Sequence, residues 1–306
     1  MSTVSSQPVG EVYDLGYQHY DGPRRGRPGA FLAVFADGLR SAAGLGRGGA
    51  QKILPIVFVL LGLAPAVFIV VLAGVAQSFG ADPDEIDLPA HPDYYGFSWF
   101  IILLFSAAVA PALLCPDRRN SVFALYAVRP LTSLDYVFAR WLAFLAIALA
   151  FVYLPQLLLL VSFILSAESP GDYVSDHWQD IPAVFGAGLG IALFMTSLAM
   201  AAASLTSRRA FATAGVIGFI IMLSAVGGFG QALLSEGGQV IETGGNVAAH
   251  WSALLILPEV SGELVSWAFG TRTHFALSPW ISLGWVAALT AGFAAVMAWR
   301  YRRPGL

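Results

Sequence analysis

The chain has 306 residues, of which 57% are hydrophobic and 11% charged, and its mean hydropathy is +0.71. Soluble domains carry about a quarter charged residues, so a soluble globular fold is excluded and no room is left for a second, soluble domain. The net charge of −3 is small, yet it hides a strong sorting of charge along the chain.

The first 52 residues form a polar segment with no apolar run before Ile53, which leaves no place for a cleavable signal peptide. Within it, Phe31, Phe35 and Leu39 recur every four residues between Gly29 and Leu45, with Asp37 and Arg40 off that stripe. This is the pattern of a helix lying in a membrane interface and feeding the chain sideways into the first span. A short anchor with no further role has the same pattern.

Crossing about 30 Å of hydrocarbon takes roughly 20 apolar residues. Six runs qualify over residues 53–306: Ile53–Phe79, Phe97–Cys115, Tyr136–Leu165, Ala183–Leu205, Phe211–Leu234 and Pro279–Trp299. The fold class is therefore an all-α polytopic membrane protein. Fifteen of the 16 cations fall on one side of these spans: Arg24, Arg25, Arg27, Arg40, Arg47 and Lys52, then Arg118, Arg119, Arg129 and Arg140, then Arg208 and Arg209, and finally Arg300, Arg302 and Arg303. Six carboxylates share that side, for a charge of +9, while Arg272 stands alone against 13 carboxylates on the other, for −12. The positive-inside rule then puts both termini and the Arg-rich loops in the cytosol. Arg140 is counted with these loops, and the spans are expected to carry no Asp, Glu, Lys or Arg. The inner arginines read as topology determinants and lipid-headgroup contacts rather than as a nucleic-acid surface.

The loop after the second span is richer than a plain connection requires. Asp117 is placed to cap a short helix running to about Val128, Pro130 stops it, and Thr132 with Asp135 forms a T-x-x-D signature that starts the next helix. That helix, from Leu134 to Leu165, spans about 48 Å and is expected to tilt or project from the bilayer. Farther on, Val247–Gly270 is apolar, but His250, Pro258, Glu259 and Glu263 cut it into pieces too short to cross. It reads as two short helices at the outer surface, broken at Pro258, with Trp251, Trp267 and Phe269 at the interface.

Several chemistries lack their residues. No G-x-x-x-x-G-K-[ST] occurs, so ATP hydrolysis needs a partner. No G-x-S-x-G or H-E-x-x-H occurs. Cys115 is the sole cysteine, which rules out an intrachain disulfide. His91, His177, His250 and His274 come from three outer loops without ligand spacing and read as scattered surface residues rather than a metal site. An ion-coupled carrier would keep ionisable groups near the midplane.

Asp117-Arg118-Arg119, then Arg129-Pro130-Leu131, then Asp135-Tyr136, resemble the cytosolic loop of ABC-2 type transporter permeases, the membrane subunits of many bacterial ABC exporters. The opening YDLGYQHYDGPRRGR, Tyr13 to Arg27, is similar to the N-terminal segment of a group of these permeases common in actinobacteria. With six spans, cytosolic termini and a long outer loop at 235–278, the likeness covers nearly the whole chain. It implies a subunit of the bacterial plasma membrane whose loop 116–135 forms a coupling helix seated in a cleft of a separate ABC ATPase. Two ATPase subunits would bind ATP and Mg, and a second permease, identical or paralogous, would complete the translocation path; this chain itself would hold no cofactor and do no catalysis. On this resemblance Asp117, Arg118, Arg119, Ser121, Tyr126, Arg129, Pro130 and Asp135 are the coupling residues, and Tyr13, Asp14, Tyr17, Tyr20 and Arg24 support that contact or the interfacial helix.

The glycines allow two readings. Gly186 and Gly190 form a GxxxG in the fourth span, and Gly215, Gly218, Gly227, Gly228 and Gly230 crowd the fifth; small residues let helices pack closely within one subunit. Alternatively, as the resemblance implies, Gly218, Gly227, Gly228 and Gly230 belong to a hinge or to the seam between two permeases. A secondary transporter without an ATPase and a non-transporting membrane scaffold are the competing readings of the whole chain.

Overall fold

The computed structural model describes residues 22, 26–45, 49–80, 89–120, 131–167, 169–234, 247–271, 273, 275 and 277–302. Among these residues all regular secondary structure is helical. In order the helices are α1 (Gly26–Ala42), α2 (Gly49–Ser78), α3 (His91–Val109), α4 (Pro111–Arg119), α5 (Ser133–Ser166), α6 (Pro170–Asp176), α7 (Asp180–Leu205), α8 (Arg209–Leu234), α9 (Val247–Ala253), α10 (Leu257–Ala268) and α11 (Pro279–Arg302). Six helical stretches are long and apolar enough to cross a membrane, the architecture of a multi-pass membrane protein: α2, α3 continued by α4, α5, α7, α8 and α11.

The second and fourth of these stretches form the centre. Two thirds of their most apolar segments are buried, against 22% for α2 and α8 and 11% for α11, which present their apolar faces to the surroundings. Where lipid surrounds a bundle, close approach of backbones drives packing more than burial from water does. Small residues accordingly mark the crossings: Ala139, Ala143 and Ala148 on α5 and Ala192, Ala199 and Ala203 on α7 are fully enclosed. A stack of rings fills the space between α2, α3 and α5, with Phe105 parallel to Phe151 at 4.5 Å and Phe58 edge-on to Phe105 at 5.9 Å. Gly62 of α2 makes room for it, since a Cβ there would lie 2.9 Å from Phe151 Cζ.

The second span starts at His91, six residues before the expected Phe97. Pro92 in the first turn and the Asp93 carboxylate, which accepts the Ala90 N–H at 2.9 Å, begin the helix early. At the break before Pro111 the backbone of Ala110 stays helical, with φ of −57° and ψ of −41°. Proline removes the N–H that would have served the Ala107 carbonyl, and Thr213 of α8 donates its hydroxyl there at 2.7 Å. An apolar interior thus keeps its backbone satisfied by borrowing a side chain from a neighbour.

Other expectations need correction. On α1 the buried face is Val34, Gly38 and Ala42, one step around from Phe31, Phe35 and Leu39, which flank it half-buried. The cause is Gly38, whose hydrogen lets α1 lie directly on α5; a Cβ there would sit 2.7 Å from Ala143 Cβ. Gly186 and Gly190 face open space, and Gly188 between them is the packed glycine, under Tyr153 and Tyr95. His91 and His250 are buried, not scattered on the surface, whereas His177 is exposed and stacks on Tyr173 at 4.2 Å; His274 lies outside the described residues. The two short helices expected within 247–270 are present as α9 and α10, but the break falls at 254–256 and Pro258 opens the second helix. They pack among α3, α7, α8 and α11, and Phe269 turns inward to stack on His91 at 6.1 Å.

Candidate functional site

The Arg-rich end of the bundle is organised around one charge that the sequence reading placed outside the spans. Arg140 lies two turns inside α5 with its side chain 3% exposed. A buried guanidinium is tolerated only when paired and hydrogen-bonded. Its Nη1 is 2.8 Å from Asp37 Oδ2 on α1, and its Nη2 donates to Asp117 Oδ2 on α4 at 3.0 Å. The Tyr136 hydroxyl donates to the same Asp117 oxygen at 2.5 Å. Tyr136 also lies beside the Arg140 guanidinium and tilts against Tyr301 of α11, 6.1 Å between ring centres. One arginine therefore joins α1, α4 and α5, and its two tyrosine neighbours extend the cluster to α11.

Asp117 was expected to cap a helix running to about Val128. Within the described residues it instead sits in the last turn of α4, its carboxylate committed to Tyr136 and Arg140. The adjacent arginines divide. Arg118 reaches inward and donates to the Ser204 carbonyl at the end of α7, with Cys115 Sγ close to the Thr206 carbonyl at 3.4 Å. The last carbonyls of a helix have no partner within it and carry the negative end of its dipole, so a cation from α4 caps α7. Arg119 is exposed and forms no ion pair among the described residues.

The start of α5 shows the T-x-x-D box that the sequence predicts. Thr132 Oγ1 accepts the Asp135 N–H at 3.2 Å, and the Thr132 N–H donates to Asp135 Oδ2 at 3.0 Å. Asp135 also receives Arg27 in a two-pronged pair, Nε to Oδ2 at 2.9 Å and Nη2 to Oδ1 at 2.8 Å. That geometry suits the flat guanidinium fork and ties the start of α1 to the start of α5.

Of the residues singled out from sequence, Asp117, Arg118, Arg119 and Asp135 thus gather at one end of the bundle. Ser121, Tyr126, Arg129, Pro130, Tyr13, Asp14, Tyr17, Tyr20 and Arg24 lie outside the described residues. Arg140, Asp37, Tyr136, Arg27 and Tyr301 were not among the candidates. Arg140 was signalled all the same: an arginine five residues into an apolar run needs a named partner.

The glycines divide as well. Gly227 and Gly230 press on α9, where added Cβ atoms would come within 2.8 Å of the Ser252 carbonyl and Ser252 Cβ. Gly218 and Gly228 meet nothing within 4 Å.

Among the described residues the cluster around Arg140 commits its groups to one another, the Asp117 carboxylate taking both the Tyr136 hydroxyl and the Arg140 guanidinium. It can fix the relative positions of five helix ends, and it sets exposed Arg119 at the edge of that assembly. No protein-family model matches the chain, and no curated protein is significantly similar to it.

Proposed function

We propose that this protein is the membrane subunit of an ABC-2 type exporter, coupled at its Arg-rich end to a separate ATPase. The observation that carries the reading is the Arg140 cluster. A loop that served only to join two spans would not need its flanks tied to α1 by ion pairs, to α7 by the Arg118 hydrogen bond and to α11 by the contact of Tyr136 with Tyr301. A surface that receives force needs such ties, because displacement of α4 is then passed to several spans together. In this reading the ATPases bind ATP and Mg, close, and push on the loop at 116–135; the six spans move substrate across the bacterial plasma membrane in partnership with a second permease. The resemblance of the motifs from Asp117 to Tyr136, and of Tyr13 to Arg27, supplies the family. The location of Arg140 also weighs against an ion-coupled carrier: the charge is near a helix end, bound to two carboxylates, and not at the midplane.

The test uses the asymmetry of Arg118 and Arg119. Tagged protein is purified from its native membrane in mild detergent and its companions are identified by mass spectrometry, for wild type and Arg119→Glu. The expected result is a stoichiometric ATPase subunit in the wild type that is lost from Arg119→Glu while the variant's melting temperature stays unchanged. A wild-type preparation without any ATPase, under conditions that preserve other complexes, would overturn the proposal and favour the carrier or scaffold readings.

A further inference from the structure

A groove of about 330 Å³ runs between α2 and α5, roofed at one end by Ala42 and Ala43 at the C-terminal end of α1. Its α2 wall is Pro55, Ile56, Val59, Leu60 and Leu63, one helical face; its α5 wall includes Ile147, Ala150 and Leu154. Each wall covers about eight residues, or about 12 Å along the helix axis. Ile56, Leu60 and Leu154 are exposed, so the groove opens sideways into the surroundings of the bundle. Its position within two apolar spans makes that medium hydrocarbon.

Charge distinguishes the two ends of the groove. Lys52 precedes Pro55 and Ile56 by three and four residues, which puts it on the groove face of α2 one turn nearer the Arg-rich end. Arg40 precedes Ala43 by three and stands at the same end on α1. Both side chains are exposed, and neither forms an ion pair among the described residues. An apolar slot that ends at two cations has the chemistry of a phospholipid with an anionic headgroup, since basic groups at the ends of membrane helices hold lipid phosphates. We propose that the groove between α2 and α5 binds one acyl chain of an anionic phospholipid, whose phosphate is taken by Lys52 and Arg40. This inference goes beyond the exporter reading and does not depend on it. The lipid would wedge α1 against the first and third spans at the end where the Arg140 cluster lies.

The experiment is native mass spectrometry of the full chain after reconstitution in equimolar phosphatidylglycerol and phosphatidylcholine and re-extraction in mild detergent. The expected result for the wild type is one retained phosphatidylglycerol per chain in preference to phosphatidylcholine. Arg40→Gln combined with Lys52→Gln is expected to lose that preference by roughly tenfold or more, two surface cations contributing to it. Ala150→Phe, which fills the groove from an exposed position, is expected to retain no lipid. Equal retention of the two lipids by the wild type would overturn the proposal, as would undiminished phosphatidylglycerol on Ala150→Phe. A change of oligomeric mass in Ala150→Phe with lipid retention unaltered would overturn it too, by assigning the groove to a second copy of the chain.

Discussion

The two ends of the bundle solve the same problem with different chemistry. At the Arg-rich end, Arg140, Asp37, Asp117 and the Arg27–Asp135 pair hold helix ends together through full charges. At the opposite end most side-chain ties among the described residues are between neutral groups, with the buried Glu263 carboxylate, which accepts the Phe275 N–H at 3.0 Å, as an exception. Tyr95 and Tyr153 donate to the Val184 and Phe185 carbonyls of α7 at 2.6 and 2.7 Å, and Tyr94 donates to the Gly62 carbonyl of α2. His91 Nδ1 and Gln156 Oε1 lie 2.6 Å apart, and Trp285 donates to the Leu254 carbonyl at 2.9 Å. A phenol bonded to a backbone carbonyl is satisfied by one partner on one other helix, whereas the Arg140 guanidinium takes two carboxylates from two other helices. The charged end is therefore the one whose parts depend on each other.

The comparison is broken most severely at Arg140. Arg140→Leu leaves the half-buried Asp117 without its cation, whereas Asp37 is 58% exposed and open to water, so the cost is expected at the lower end of the range of about 3–5 kcal/mol that breaking a buried pair takes. Denaturant unfolding of the detergent-solubilised protein is expected to show a loss of that size. A loss below about 1 kcal/mol would mean that the cluster is incidental to the fold. The neutral end should yield through packing instead. A Cβ on Gly188 would lie 2.5 Å from Tyr153 Cε1 and 2.9 Å from Tyr95 Oη, so Gly188→Ala is expected to cost about 1–3 kcal/mol, as overpacking does. The same assay on Tyr95→Phe combined with Gly188→Ala tells crowding from hydrogen-bond loss, since the double variant should recover part of the loss if the phenol oxygen is what clashes. Thr132→Ala, which removes the cap of α5, comes next at about 1 kcal/mol.

How much of this was open to sequence reasoning follows from the range of each signal. Length, composition and the period of apolar residues are local, and they gave six spans, a third helix of over 30 residues, the Thr132–Asp135 box and two short helices within 247–270. Partner choice is not local. Nothing in the spacing of Asp37 and Arg140 says that α1 folds back onto α5, and only the close approach at Gly38 makes that pair. The same holds for Thr213, whose hydroxyl answers a carbonyl that Pro111 frees more than 100 residues away. Gly188 escaped notice because a GxxxG search selects Gly186 and Gly190, while the helix turns the residue between them toward its neighbours. Pairing of the gathered residues was legible for Asp135 alone, whose partner Thr132 is three residues distant.

The smallest effect has the sharpest sign. In a helix interior, glycine loses more backbone entropy on folding than other residues because its unfolded chain is freer, and replacing it by alanine stabilises by about 0.4–1 kcal/mol where space is free. Gly218 meets nothing within 4 Å, whereas a Cβ on Gly227 would lie 2.7 Å from Ile256 Cγ1. Gly218→Ala is therefore expected to raise the stability of the isolated chain by up to about 1 kcal/mol, and Gly227→Ala to lower it by about 1–3 kcal/mol, in the same unfolding assay. The two residues lie on one helix nine positions apart, so insertion and helix propensity are matched and the sign reports the neighbour alone. If a second permease covers α8 at Gly218, the gain measured on the single chain turns into a loss of dimer, read as a fall in the dimer fraction by light scattering. An unchanged dimer with the expected gain in stability would remove Gly218 from the seam and leave the fifth span's glycines with one role, the seating of α9 against Gly227 and Gly230.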